Sequence, residues 1–136
     1  MATPTTAEAW IRVANERSVD ARTLCNQDRS VAAVYLAGYA VECCLKAYLQ
    51  RVGRGFPTGG PAGHDLRELW RVSGFRLADL GDYQGNRSYF IERWNTGLRY
   101  DETLDTERDA GVLVEGGMQL AGWIQGQLRR FARRHR

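Results

Sequence analysis

The sequence predicts an all-α protein, a bundle of four or five helices, and three observations support this. Three long stretches place apolar residues at intervals of three and four, which is the spacing of one helix face. No run alternates between apolar and polar residues for long enough to form a strand. Glycine and proline clusters separate the periodic stretches. At 136 residues the chain suits a single domain, residues 1–136, with one core.

The first helix is predicted over residues 6–26. Its apolar or small residues step by four and three along one face: Ala7, Ile11, Ala14, Ser18, Ala21 and Cys25. This spacing is typical of an amphipathic helix of about five turns.

The second helix is predicted over residues 28–52, with Asp28 as its N-cap and Gly53 as its end. Between residues 31 and 49 the only charged residues are Glu42 and Lys46, which stand four apart in the order that favours an ion pair. Two interpretations are open. The pair could lie on a solvated strip of the bundle, or it could face a polar cleft between subunits.

A helix that is apolar on most faces needs cover on several sides. The ion pair, a glycine and three tyrosines make this stretch unsuitable as a membrane span, so no membrane partner is expected. A bundle of this size offers limited cover, and we therefore expect a homodimer.

The remaining elements are shorter, except for the last. Residues 53–63 hold five glycines and two prolines and are expected to form a loop. Helices are predicted over 64–73, over 85–95 and over 105–132, and Asp105 or Thr106 is expected to cap the last one. Residues from Ala110 to Phe131 form the apolar seam of that long helix.

Cysteine usage and charge limit the possible functions. Three cysteines without metal-ligand spacing, and no signal peptide at the start, favour a reduced, cytoplasmic protein with neither metal nor cofactor. The net charge is +3, but five arginines lie in the last eight residues, so residues 1–128 carry −2. This basic tail, residues 129–136, could bind nucleic acid or could simply favour the end of a helix. Its candidate contacts are Arg129, Arg130, Arg133 and Arg134.

Several of these features, in this order, resemble the HEPN domains of prokaryotes. The strongest likeness is GYAVECCLKAYL at residues 38–49, with Glu and Lys four apart, followed by GHDL at residues 63–66. An RYD element at residues 99–101 and a long last helix continue the resemblance. It implies a dimerising all-α bundle associated with nucleotidyltransferases, toxin–antitoxin pairs and defence against foreign nucleic acid.

The best-known active members of that family are metal-independent RNases. They use an Arg followed four to six residues later by a His, at the start of the last long helix. Here the corresponding stretch reads RWNTGLRYDETLD from Arg93 and contains no His. Arg129 and Arg130 have the required spacing to His135, but at the end of the last helix. Without the His, the proton transfers of RNA cleavage lack their general acid and base.

The resemblance places seven polar residues near one another, Asp101 and six that we take as candidate ligand-binding residues: Glu42, Lys46, His64, Asp65, Arg99 and Tyr100. Three of these, His64, Arg99 and Tyr100, are also the candidates for any catalytic role. Asp65 and His64 could instead cap a helix, and Arg99 could form a structural ion pair with Asp65 or Glu42. We expect Arg99 and Tyr100 to lie within reach of the other four residues, in one polar cleft open to solvent.

Three functions are compatible with these observations. The first is a non-catalytic HEPN module that binds RNA, a nucleotide, or a protein such as a cognate nucleotidyltransferase. The second is a divergent metal-independent endoribonuclease, a toxin in which His64 replaces the missing His and Arg99 binds the phosphate. The third is a purely structural helical subunit.

Overall fold

The computed structural model describes residues 3–57 and 60–135. This part of the chain contains five α-helices: α1 Ala7–Asn26, α2 Ser30–Val52, α3 Leu66–Ser73, α4 Ser88–Glu92 and α5 Ala110–Arg134. Three 3₁₀ helices lie between them, at Pro61–His64, Leu77–Leu80 and Thr96–Tyr100. No strand occurs in residues 3–57 and 60–135, so the predicted all-α class is confirmed.

Helix α2 is the centre of the bundle, packed between α1 and α5. An ion pair between Glu8 and Arg51 shows that α1 runs antiparallel to α2. A second pair, between Arg22 and Glu115, ties α1 to α5. Thirteen α2 residues are buried within a single copy of the chain. The chain therefore covers most of α2 by itself, which removes the reason for expecting a second copy, and the homodimer stays a prediction.

Three glycines allow close approaches between elements of the bundle. The indole ring of Trp94 lies so close to Gly38 of α2 that a Cβ there would be 2.0 Å from the ring. On α5, a Cβ at Gly117 would be 2.9 Å from Phe90, and one at Gly116 would be 2.5 Å from the Asn86 carbonyl oxygen. Because side chains cannot be accommodated at these positions, glycine lets the segment around α4 sit directly on α2 and α5.

The ends of the long helices differ from two predictions. Asp28 does not cap α2: its φ is +59°, and Arg29 occupies the N-cap position without a side-chain hydrogen bond. The last helix begins at Ala110 rather than near residue 105, because Asp109 supplies the cap by accepting from the Gly111 N–H at 2.7 Å. The prediction that Gly53 ends α2 is confirmed, with Gly53 left-handed at φ 76°.

The middle of the chain is less helical than predicted. Helix α4 covers only Ser88–Glu92 of the expected 85–95, and residues 96–100 form a 3₁₀ helix. Helix α3 begins at Leu66, and Gly74 ends it as expected. The expected loop over residues 53–63 includes residues 58 and 59, outside the described residues, and its last part enters the Pro61–His64 3₁₀ helix.

The most apolar helix of the described residues is largely covered by the rest of the bundle. One helix among the described residues, Ser30–Val52, is long and apolar enough to cross a membrane, but 72% of its most apolar window is buried inside the bundle.

Cys43 and Cys44 are buried free thiols of the core, and burial raises their pKa values to about 12 and about 11. No group of three or more potential metal ligands occurs in the described part of the chain.

Candidate ligand-binding site

The charged pair on α2 is buried. Glu42 is 2% exposed and Lys46 is 1% exposed, and the Lys46 Nζ lies 3.0 Å from the Glu42 Oε2. Of the two interpretations, the solvated strip is therefore wrong. Removing two charges from water costs several kcal/mol per ion, so the pair persists only because its surroundings satisfy both charges.

An aromatic ring supplies part of those surroundings. The Lys46 ammonium lies 5.1 Å from the ring centroid of Trp10, which belongs to α1 and is itself 6% exposed. Cation–π attraction is stronger where the cation is shielded from water. Lys46 is thus held between the Glu42 carboxylate and the Trp10 ring.

His64 covers the other side of the Glu42 carboxylate. Its Nδ1 lies 3.0 Å from Oε1 and 3.2 Å from Oε2 of Glu42, and its side chain is 33% exposed. Glu42, Lys46 and His64 therefore form one group, which we call the Glu42 cluster. It joins the end of the Pro61–His64 3₁₀ helix to the middle of α2.

Asp65 has a different role. Its side chain caps α3 by accepting from the Glu68 N–H at 3.2 Å. The capping alternative is thus confirmed for Asp65. His64 does not cap the helix, because its ring is hydrogen-bonded to Glu42 instead.

Tyr35 and Tyr39 continue the same face of α2 towards its N-terminus. Their rings are stacked, with centroids 5.2 Å apart, and both rings contact the Trp94 ring edge to face. Tyr39 also contacts the His64 ring edge to face, at 5.8 Å. Burial, and then the Tyr35 hydroxyl, raises the pKa of Tyr39 above its usual range. Tyr39 therefore connects the Glu42 cluster to the tyrosine beyond it.

Arg99 lies beyond Tyr35, on the side away from the Glu42 cluster. Its guanidinium stacks 4.8 Å from the Tyr100 ring, which is 78% exposed. The Tyr35 hydroxyl, followed by the Tyr100 hydroxyl, raises the pKa of Arg99, so the side chain is a permanent cation. Within the described residues Arg99 forms no ion pair, and the structural ion pair with Asp65 or Glu42 is wrong.

Arg99 and Tyr35 line a surface cleft of about 1000 Å³ between the N-terminal end of α2 and residues 99–110. We call it the Arg99 cleft. Its apolar wall includes Val31, Leu36 and Leu104. Its charged lining is mixed, with three arginines and three acids: Arg29, Arg99, Arg108, Asp28, Asp101 and Glu102.

The six candidate residues are thus not one open cleft. Three of them form the mostly buried Glu42 cluster, and Asp65 caps the N-terminus of α3. Arg99 lines the exposed cleft, Tyr100 stacks on the Arg99 guanidinium, and Tyr39 stands between Arg99 and the Glu42 cluster. The residues that sequence analysis missed are Tyr35 and Tyr39. Their spacing of four, three and four with Glu42 and Lys46 was a signal that all four share one face of α2.

The basic tail continues α5. Its four described candidates are exposed in the last turns of the helix, and Arg136 lies outside the described residues. His135 stacks on Phe131 at 4.0 Å, and its Nδ1 lies 2.9 Å from the Phe131 carbonyl oxygen. His135 is therefore engaged with its own helix.

Comparison with known proteins agrees with this architecture. The HEPN domain family model matches residues 7–126. The chain belongs to the HEPN domain family. The crystal structure of an archaeal HEPN homologue superposes with a TM-score of 0.66 at 18% identity, covering 92% of this chain and 99% of the homologue. No curated protein sequence matches the chain significantly.

The archaeal likeness supports the HEPN fold and nothing finer, because the identity is low. Within this fold, the stretch that precedes α5 carries Arg93 and Arg99 but no histidine. The one histidine in the body of the domain is His64, and the Glu42 carboxylate holds its Nδ1. The usual nuclease pair of the family is therefore missing from its usual place.

Proposed function

We propose that this HEPN domain is a non-catalytic binding module that takes a phosphate-bearing ligand, RNA or a nucleotide, in the Arg99 cleft. The observation that carries the proposal is an exposed arginine with no counter-ion in the described structure, stacked on an exposed tyrosine at the edge of a cleft. A guanidinium binds phosphate through paired hydrogen bonds, and a tyrosine ring stacks on a base.

The mixed lining of the cleft suits a nucleotide better than a bare anion. Arginines would hold the phosphate, while the carboxylates Asp101 and Glu102 can accept hydrogen bonds from ribose hydroxyls or base amines. The apolar wall formed by Val31, Leu36 and Leu104 can shield a base from water.

The biological setting is part of the same proposal. We infer that the module works in the cytoplasm within a toxin–antitoxin or defence-type system, as a homodimer or with a cognate nucleotidyltransferase or another protein. The HEPN family membership supports this setting.

Binding of labelled single-stranded RNA, followed by fluorescence anisotropy at several salt concentrations, tests the proposal. The affinity should fall as salt rises, because phosphate contacts release counterions. Arg99→Ala should weaken binding and reduce the logarithmic salt slope by roughly 0.7, the value for one phosphate contact with a single strand. Equal binding by the variant and the unaltered domain would refute the site.

Arg76→Ala is the matched control for this experiment. The Arg76 side chain is 76% exposed, pairs with Asp79 at 3.2 Å and does not line the cleft. Arg76→Ala removes the same charge from the protein as Arg99→Ala does. Because Arg76 is outside the cleft, the binding curve of this variant should stay close to that of the unaltered domain. No binding of any RNA or nucleotide would favour the purely structural subunit.

A divergent metal-independent RNase is the second candidate, and the contact between His64 and Glu42 is the observation that favours it. A carboxylate on one imidazole nitrogen is the arrangement that leaves the other nitrogen free to act as a base. Incubation with structured RNA and a chelator separates the two functions. The binding module leaves the RNA intact, whereas cleavage that His64→Ala abolishes and His135→Ala does not would establish the nuclease.

A further inference from the structure

The chemistry of Lys46 is unusual for this chain. Lysine and arginine together number nineteen, and Lys46 is the only lysine. The chain thus uses arginine at every exposed basic position and lysine only at a site that is 1% exposed. An ammonium is compact and can pair with a single carboxylate oxygen, whereas a guanidinium is a wide planar fork. Between Glu42 and Trp10 the chain places the compact cation.

The buried pair leaves the Glu42 carboxylate with one further strong contact, to His64. Lys46 lies on Oε2 at 3.0 Å, and the His64 Nδ1 is within 3.2 Å of both oxygens. An ionised carboxylate can only accept hydrogen bonds, so Nδ1 must be the donor. A neutral imidazole carries one proton, and its Nε2 is then an unprotonated acceptor.

The Nε2 atom has no hydrogen-bond partner among the described residues, and the ring is one-third exposed. The Tyr39 ring packs edge to face with the His64 ring, on the side of α2 that leads to Arg99. A polar atom with a free lone pair at such a position is available to a ligand that donates a hydrogen bond.

We propose that Glu42 and Lys46 are positioning residues for His64: they hold its proton on Nδ1 and keep Nε2 as an acceptor for a hydroxyl or amine of a ligand at the exposed edge of the ring. Lys46 keeps the carboxylate in place, and the carboxylate orients the ring, as second-layer carboxylates do for histidines in metal sites. Only the ligand in this inference rests on the proposed function, since the state of His64 can be measured in the free domain.

Long-range proton–nitrogen correlation by NMR on the full chain reports which ring nitrogen of each histidine carries the proton. In the free domain His64 should be protonated on Nδ1 at a pH where the ring is neutral. Protonation of His64 on Nε2 would overturn the inference. Single-residue assignment is straightforward, because the chain contains only two histidines.

The double variant Glu42→Leu with Lys46→Met removes both charges together and leaves no unpaired charge in the core. It should release His64, so that the proton is no longer confined to Nδ1. The His135 signals should stay unchanged, since that ring is bound to Phe131 in another part of the molecule. An unchanged His64 spectrum in a folded double variant would refute the positioning role.

Adding the single-stranded RNA probe separates the two proposals. A shift of the His64 Nε2 signal on binding supports the acceptor role, and RNA binding with that signal unchanged refutes it. If RNA does not bind and His64 is still protonated on Nδ1, the proposed function fails while the positioning by Glu42 and Lys46 stands.

Discussion

Separating the two charges of the buried pair should destabilise the domain strongly. Glu42→Gln leaves the Lys46 ammonium 1% exposed and without its carboxylate, and Lys46→Met leaves the buried Glu42 carboxylate with His64 as its one remaining strong contact. Breaking a buried ion pair by removing one partner costs about 3 to 5 kcal/mol. A chain of 136 residues has a total stability of roughly 7 to 20 kcal/mol, so either change removes a large share of it.

The double variant Glu42→Gln with Lys46→Met should lose less stability than the two single losses added together. The reason is that the second substitution removes the stranded charge that the first one creates. Urea unfolding followed by tryptophan fluorescence measures all three free energies, since the core holds Trp10 close to the pair and Trp94 beyond it.

Glu68→Gln provides the control for these variants. Glu68 pairs with Arg71 on the surface of α3, where water screens the interaction, so the urea midpoint should hardly move. The account would be wrong if Glu42→Gln cost less than about 1 kcal/mol, the upper range for exposed pairs, or if the two single losses were additive.

Two further predictions concern the core and the thiols. Gly38→Ala should lower the free energy of unfolding by about 1 to 3 kcal/mol or more, because its Cβ would fall 2.0 Å from the Trp94 indole ring. Gly122→Ala meets nothing within 4 Å and should stabilise α5 by up to about 1 kcal/mol. Melting temperatures of the two variants test this, and equal effects would contradict the packing. Iodoacetamide at neutral pH should label Cys25 well before Cys43, whose buried thiol has a pKa of about 12, and mass spectrometry that found equal labelling would contradict that burial. An unfolded thiol loses its proton at about pH 8.5, whereas the folded Cys43 keeps its proton there. The free energy of unfolding should therefore fall as the pH rises above that value, and Cys43→Ala should make it less dependent on pH.

Most of the fold could be predicted because the long helices carry their own signals. The steps of four and three place α1, α2 and α5 to within a few residues of their observed positions. The N-cap residues were harder to predict, because several residues near each helix start have side chains that can cap the helix. Asp28 and Asp109 are both suitable N-caps by residue type, and only the path of the chain determines that Asp109 is used and Asp28 is left-handed.

The burial of the charged pair could not be predicted from α2 alone. A Glu and a Lys four residues apart are typical of an exposed helix face. Their environment here comes from elsewhere in the chain, with Trp10 contributed by α1 and His64 by the segment before α3. The likeness of residues 38–49 and 63–66 to one family brought Glu42 and His64 into the same hypothesis, but not their hydrogen bond.

Arg99 shows the opposite case, in which the residue was identified and its surroundings were not. Arg99 was expected to lie within reach of Glu42, Lys46, His64 and Asp65 in one polar cleft. Instead Leu98 is 5% exposed and anchors the 3₁₀ helix, while the guanidinium rests on Tyr100 and approaches the Tyr35 hydroxyl. The sequence analysis did not single out Tyr35, which is half-buried and reaches the cleft.

The account's central claim is that a phosphate-bearing ligand binds in the Arg99 cleft rather than on the basic end of α5. Mapping backbone and arginine side-chain NMR shifts during titration with single-stranded RNA tests it most directly. The account predicts that the largest shifts fall on Tyr35, Arg99 and Tyr100. Shifts confined to the four arginines at residues 129–134, with the Arg99 signals unchanged, would contradict it.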